Sequence, residues 1–154
     1  MSLELAKAVA LVAHHGQMSR YEEVTEPYLH HVERVSAGAQ AEWANRWKGF
    51  RVELWAPICA VAYLHDVLED SSQFTVADIS RLFADCPQVV EAVLLLTRHD
   101  PYEPYADYIQ RIVRSGNELA VVVKIADIRD HLRPSCPEHL RGRYEAALTV
   151  LTGE

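Results

Sequence analysis

The sequence contains little of what marks several common classes of protein. Its three cysteines are odd in number and scattered, which argues against a disulfide framework and against a CxxC zinc site. No apolar run is long enough to span a bilayer, because charged residues or the pair His65–Asp66 interrupt the longest candidates. We therefore expect a protein of the reducing cytoplasm that has no membrane segment.

Basic residues are also scarce. Lys and Arg number 15 against 22 Asp and Glu, which gives a formal net charge of −7. A chain with this charge repels nucleic acid, so a general DNA- or RNA-binding role is not expected. Linker-like and low-complexity stretches are missing as well. Together with a length of 154 residues, this predicts a single domain over residues 1–154.

Helical periodicity, in contrast, is abundant. Apolar residues recur three and four positions apart in five stretches, namely 3–15, 76–83, 89–96, 105–113 and 140–151. The first of these is predicted to be an amphipathic helix and not a signal peptide. Thr75 and Pro87 stand where an N-cap and a first helical turn are expected. The predicted fold class is all-α, a compact helical bundle.

Two further stretches need interpretation. Val121–Val123 is β-branched and could form a buried strand, but Asn117 and Glu118 are typical of a helix start and no partner strand is indicated, so a buried helix is predicted. Residues 37–48 are interpreted as a short extra helix that ends before Gly49. Trp43 and Trp47 in that stretch could cover a neighbouring surface, and a homo-oligomer is left open.

The strongest chemical signal is the sequence LHDVLED at Leu64–Asp70. On a continuous helix, Glu69 would lie one turn beyond His65, and Asp70 one turn beyond Asp66. Carboxylates beside an apolar core are costly unless a cation or hydrogen bonds compensate, and imidazole with carboxylate suits a divalent metal ion. The alternative is a solvated helix end whose four polar side chains simply face water.

Three other segments carry related residues. AHHGQ at 13–17 holds His14 and His15, EPYLHH at 26–31 holds His30 and His31, and VKIAD at 123–127 ends on Asp127. One histidine of the first pair is expected to be packed or hydrogen-bonded, and His30 is expected at the surface.

In this order and spacing the four segments resemble the HD-domain phosphohydrolase superfamily. Within it, the chain is most similar to the hydrolase domain of the RelA/SpoT-type alarmone enzymes and their small stand-alone relatives, whose motifs are A-H-x-G-Q, P-Y-x-x-H, L-H-D-x-x-E-D-T and V-K-L-A-D. The similarity runs from about residue 13 to residue 133. It implies an HD-type helical bundle.

The resemblance also implies roles for individual residues. The implied ligands of one divalent ion, typically manganese, are His31, His65, Asp66 and Asp127. Glu69 and Asp70 would position or deprotonate the attacking water. The implied substrate is guanosine tetra- or pentaphosphate, which is hydrolysed at the 3′ position to release pyrophosphate.

Substrate contacts are expected from cationic and aromatic side chains. The substrate-binding candidates are Arg20, Lys124, Tyr105 and His131, with Arg98, Arg129 and Arg133 as further cations. Lys124 could instead form a structural ion pair, and the stripe that contains Tyr105 and Tyr108 also fits core packing. His131 stands where the alarmone enzymes usually have an asparagine that helps to hold the nucleotide.

Three functions therefore stay open. The first is hydrolysis of a guanosine 3′-polyphosphate, and the second is hydrolysis of another nucleotide at the same metal site. The third is a catalytically silent domain that binds a nucleotide or a partner, although the presence of both Glu69 and Asp70 favours an enzyme.

Overall fold

The computed structural model describes residues 3–19, 25–46 and 52–153. Within these residues the regular structure is helical, which confirms the predicted all-α fold class. The helices, in chain order, are α1 Leu3–Ala13, α2 Tyr28–Arg46, a 3₁₀ turn Val52–Leu54, α3 Trp55–Leu64, α4 Val67–Asp70, α5 Val76–Leu82, α6 Pro87–Leu96, α7 Tyr105–Ser115, α8 Glu118–His131 and α9 Glu138–Thr152.

Local sequence signals explain where several helices begin. Thr75 caps α5 in a capping box, in which its hydroxyl accepts from Asp78 N while the Asp78 carboxylate accepts from Thr75 N. The Asn117 side chain accepts from Ala120 N and so caps α8, which contains Val121–Val123 as helix. The helical interpretation of that β-branched run is thus correct, because the cap and burial outweigh a modest β preference.

Helices α2, α3 and α8 form the centre of the bundle. Helix α2 packs along both α3 and α8, while α3 also contacts α1 and α6 and α8 also contacts α9. Helix α3 and most of α8 are apolar on nearly every side, as expected for helices that are surrounded by other helices. Among the described residues, no helix is both long and apolar enough to cross a membrane.

The predicted short helix over residues 37–48 is wrong. Helix α2 continues without a break from Tyr28 to Arg46, and Trp43 lies in the core at 2% exposure and so covers no neighbouring surface. Trp47 is outside the described residues. An alanine-rich stretch sustains the helix through Gly38, where the missing side chain lets α2 approach α8: a Cβ placed at Gly38 would lie 3.3 Å from Ala126 Cβ.

The predicted continuous helix through His65 and Asp70 is also wrong. Helix α3 ends at Leu64, and α4 begins only at Val67. Asp66, between them, has φ −107° and ψ 0°, values in the bridge region that many active-site residues adopt. Asp70 nevertheless lies one helical turn beyond Asp66, since Asp70 N donates to Asp66 O at 2.9 Å.

We predict that Gly38→Val destabilises the fold by about 2 kcal/mol, because the added methyl groups would push α2 away from α8. Gly142→Ala is the matched control: Gly142 lies in α9, and a Cβ added there would meet nothing within 4 Å, so this variant should gain about 0.5–1 kcal/mol of helix propensity. Urea unfolding of both variants measures these changes. Equal midpoints for the wild type and Gly38→Val would contradict the close approach.

Candidate metal centre

A cavity of about 280 Å³ lies where the start of α2, the α3–α4 junction and the C-terminal half of α8 meet. Its polar lining comes mainly from these elements, and α7 and α9 add aromatic and cationic side chains. The lining residues are Ser19, Tyr28, His31, Asp66, Glu69, Asp70, Arg98, Tyr105, Tyr108, Lys124, Asp127, Asp130, His131, Ser135, Cys136, Arg143 and Tyr144.

Asp127 is the central side chain of this site, at 2% exposure. Its Oδ2 accepts from Lys124 Nζ at 2.6 Å. Its Oδ1 faces the Nε2 atoms of three imidazoles, at 3.4 Å for His31, 3.7 Å for His65 and 3.1 Å for His131. One carboxylate oxygen is therefore the common neighbour of three histidines from three parts of the chain.

The hydrogen bonds of two of these histidines fix which nitrogen faces the site. His31 Nδ1 lies 2.7 Å from Asp130 Oδ2, and His65 Nδ1 lies 2.7 Å from Ala62 O. An ionised carboxylate and a carbonyl oxygen can only accept, so both Nδ1 atoms carry the hydrogen. In the neutral imidazoles, each Nε2 then presents a lone pair to Asp127.

Asp66 presents a second carboxylate oxygen to His65 Nε2. Asp66 Oδ2 lies 3.0 Å from His65 Nε2, and the Tyr28 hydroxyl donates to the same oxygen. The nitrogen lone pair of His65 therefore faces two carboxylates. Two acceptors that face each other at such distances repel, unless a proton or a metal ion lies between them.

The pKa values express this repulsion. Burial disfavours a charged imidazole, yet Asp127 and Asp130 raise the pKa of His31, and Asp66 and Asp127 raise that of His65 well above its usual value. Burial likewise opposes the charge of Asp127, but Lys124 and His131 hold its pKa well below the usual range. Without a metal ion, protons on the histidines would balance the carboxylates.

The donor set fits a metal ion. His31 Nε2, His65 Nε2 and Asp127 Oδ1 are among the buried atoms that have no hydrogen-bond partner, and an unsatisfied buried acceptor is costly. Two groups could hold a metal ion, each with ligand atoms within 4.8 Å of one another: His31, His65 and Asp66, and His31, Asp127 and His131. The four residues predicted as ligands are divided between these two groups, which share His31, and imidazole with carboxylate suits zinc, iron or manganese.

Glu69 and Asp70 lie beside this centre and line the same cavity. Glu69 Oε1 accepts from Arg98 N at 2.6 Å, and desolvation raises the pKa of Glu69 although the residue as a whole is exposed. Asp70 Oδ2 accepts from Gln17 Nε2 at 2.7 Å, while Gln17 Oε1 lies 2.7 Å from His14 Nδ1. His14 is buried and hydrogen-bonded and His15 is exposed, so that expectation holds; His30 is exposed, as predicted.

The predicted substrate contacts divide into two groups. Lys124, Arg98, Tyr105 and His131 line the cavity. Lys124 also forms the ion pair with Asp127 that was its alternative role.

Of the remaining candidates, Tyr108 also lines the cavity, whereas Arg129 and Arg133 do not. Arg129 pairs with Glu42, and Arg133 approaches Glu26 at 3.7 Å, so neither lines the cavity. Tyr108 is buried and donates to Leu96 O at 2.6 Å, which fits its core alternative. Arg20 lies outside the described residues.

Several residues of the site were not foreseen. Asp130 orients His31 and is itself held by the Arg34 guanidinium at 2.7 Å and 3.1 Å. Its spacing of three residues from Asp127 on one helix could have pointed to it. Arg143 lies over the rings of Tyr105 and Tyr144, at 4.8 Å and 5.3 Å from their centroids. Both α9 residues lie beyond the motifs, and no sequence signal indicated them.

Comparison with known proteins bears on the fold. No protein-family model matches the chain, and no curated protein matches it in sequence. A solved structure does match: a metazoan ortholog of SpoT, described as hydrolyzing ppGpp and playing a role in starvation responses. The TM-score is 0.72 at 22% identity over 98% of this chain and 83% of that one. The likeness confirms that the two chains share the helical fold.

We predict that Asp130→Ala lowers the affinity for Zn²⁺ or Mn²⁺ by about 10- to 100-fold, because His31 would lose the partner that fixes its tautomer and orientation. Arg34→Ala is the matched control, since it removes the guanidinium but leaves the Asp130 carboxylate against His31. Calorimetric titration with either ion measures the effect. Identical affinities in Asp130→Ala and the wild type would show that Asp130 does not orient the ligand.

Metal binding should also compete with protons. Because the carboxylates raise the pKa of His31 and His65 above the reference value near 6.5, a metal ion must displace protons that are still bound near neutral pH. The apparent affinity should therefore fall as the pH is lowered from about 8 to about 6, by roughly tenfold per pH unit for each proton released. Calorimetry in buffers of different ionisation enthalpy counts these protons, and a pH-independent affinity without proton release would contradict histidine ligation.

Proposed function

We propose that this chain is a metal-dependent phosphohydrolase that hydrolyses guanosine 3′-polyphosphates such as ppGpp and releases pyrophosphate. The observation that carries the proposal is the convergence of unsatisfied imidazole nitrogens and carboxylate oxygens on one cavity. The proposed ligands are His31, His65, Asp66 and Asp127, and the proposed ion is manganese or another divalent cation. The ppGpp-hydrolysing ortholog with the same fold supports the substrate class.

A bound divalent ion would lower the pKa of a water molecule and neutralise charge on the attacked phosphate. The protein side chains supply the remaining roles. Glu69, whose pKa is raised by desolvation, is suited to accept a proton from the water near neutral pH. Asp70, which Gln17 holds and which lines the same cavity, is proposed to orient this water.

The charge of the cavity explains why an anionic substrate needs a cation. Among the described residues, five carboxylates line it, Asp66, Glu69, Asp70, Asp127 and Asp130, against three cationic side chains, Arg98, Lys124 and Arg143. A divalent ion offsets the excess negative charge, which would otherwise repel phosphate.

The cationic side chains then serve the parts of the nucleotide that the ion does not reach. Arg98 and Arg143, which line the cavity without pairing with Asp127 as Lys124 does, are proposed to contact phosphate groups. Tyr105, which lines the cavity next to Arg143, is proposed to contact the base. Arg20 stays a proposed substrate contact from the sequence alone.

A second candidate keeps the metal site but changes the substrate to another nucleoside phosphate. The observation that favours it is His131, an imidazole that faces Asp127 at 3.1 Å where the resembling enzymes usually have an asparagine for the nucleotide. A panel of nucleotides tests the two candidates together.

The test is to incubate purified protein with Mn²⁺ and ppGpp and to measure pyrophosphate. We expect turnover that chelation abolishes, and loss of both metal and turnover in Asp66→Ala. Glu69→Gln should retain metal but lose about 10²- to 10⁴-fold in kcat, because it removes the proton acceptor.

Glu91→Gln, an exposed glutamate of α6 away from the cavity, is the control and should behave as the wild type. Inorganic phosphate from other nucleotides, with ppGpp untouched, would favour the second candidate. Unchanged metal content in Asp66→Ala would refute the ligand assignment, and no turnover of any nucleotide would leave a silent binding domain.

A further inference from the structure

His131 occupies a more central place than a substrate contact requires. It lies on the last turn of α8, one turn after Asp127, and its Nε2 is 3.1 Å from Asp127 Oδ1. That oxygen is the one that His31 Nε2 and His65 Nε2 also face. His31, Asp127 and His131 together form one of the two groups whose ligand atoms lie within 4.8 Å of one another.

Neighbouring rings hold the His131 imidazole in this orientation. Its ring stacks on Tyr144 with 5.3 Å between centroids and 10° between planes, and the His31 ring lies 4.9 Å away on a tilted plane. The His131 side chain is 24% exposed, so most of its surface is covered. A ligand that is already held in place loses little conformational entropy when a metal ion binds.

We propose that His131 is a third imidazole ligand of the metal ion, in addition to His31 and His65. The inference rests on the proposed metal-dependent function and extends its ligand set. His131 enters the ligand set beside His31 and Asp127, with which it forms one of the two groups, and an octahedral ion keeps room for water or substrate.

The additional imidazole has a consequence for metal choice. Imidazole suits zinc, iron, copper and nickel, whereas carboxylate, carbonyl and water suit manganese and magnesium. Exchange of an oxygen ligand for a nitrogen therefore favours zinc or ferrous iron relative to manganese. A two-histidine centre has less of that preference.

The competing explanation is that His131 donates a hydrogen bond to Asp127 and never binds the ion. Its proton would then stay between the two side chains when the metal is bound. Zinc-loaded wild-type protein separates the two explanations directly, because X-ray absorption at the zinc edge counts imidazole ligands. Three imidazoles support the proposal, and two overturn it, whatever any variant does.

Two variants give an independent measurement by competitive titration with Zn²⁺ and Mn²⁺. His131→Asn should lose about 10- to 100-fold in zinc affinity and less in manganese affinity, so that the ratio of the two affinities falls. His139→Asn is the matched control, since His139 is an exposed histidine of α9 that does not line the cavity. Its zinc affinity should equal that of the wild type.

The pattern of results tells which proposal fails. If His65→Ala abolishes zinc binding while His131→Asn leaves the affinity and the ratio unchanged, only the third ligand is refuted. If His65→Ala also leaves zinc binding unchanged, the metal centre itself is refuted, and with it the proposed function.

Discussion

Repulsion between acceptors is the constraint on which this site depends. His65 Nε2 and His31 Nε2 are turned toward Asp127 Oδ1 by hydrogen bonds at the opposite side of each ring, and Asp66 Oδ2 faces His65 as well. Such an arrangement in a buried place is unfavourable in itself and needs a positive charge at its centre. The bundle therefore holds these side chains in an arrangement that is costly for its own stability, as is expected where function and stability conflict.

The arrangement persists because rigid parts of the bundle support it. His65 Nδ1 is hydrogen-bonded to Ala62 O on α3, and His31 Nδ1 is hydrogen-bonded to Asp130 on α8. The Arg34 guanidinium of α2 in turn binds the Asp130 carboxylate. Close contact at Gly38 and Ala126 sets the distance between α2 and α8 one residue before Asp127. A shift of α2 would therefore move His31, and a shift of α8 would move Asp127. Core packing thus sets the distances between the side chains of the site.

The sequence predicted the helical class and the proximity of His31, His65, Asp66 and Asp127. Both depend on local patterns and on a few chemically distinctive residues. It could not predict what arises only from contacts between distant segments. Gln17 reaches Asp70 across 53 positions, and Arg143 and Tyr144 complete the cavity from a helix outside the motifs. The break at Asp66 was missed because periodicity describes an average helix, whereas the backbone angles depart from helical values at this one residue. The close approach of α2 and α8 at Gly38 could not be predicted either, because it depends on Ala126, 88 positions away.

The excess of carboxylates gives the site a further property. A cavity whose described lining holds more acids than bases cannot attract a polyphosphate by long-range electrostatics unless the centre is occupied by a cation. Protons on His31 and His65 relieve the local repulsion but bring at most one charge each, and they leave no open coordination position for water. A divalent ion brings its charge to one point and still offers such a position. Occupation of the centre would therefore decide two things at once: whether the anionic substrate can enter, and whether a nucleophile is present when it does.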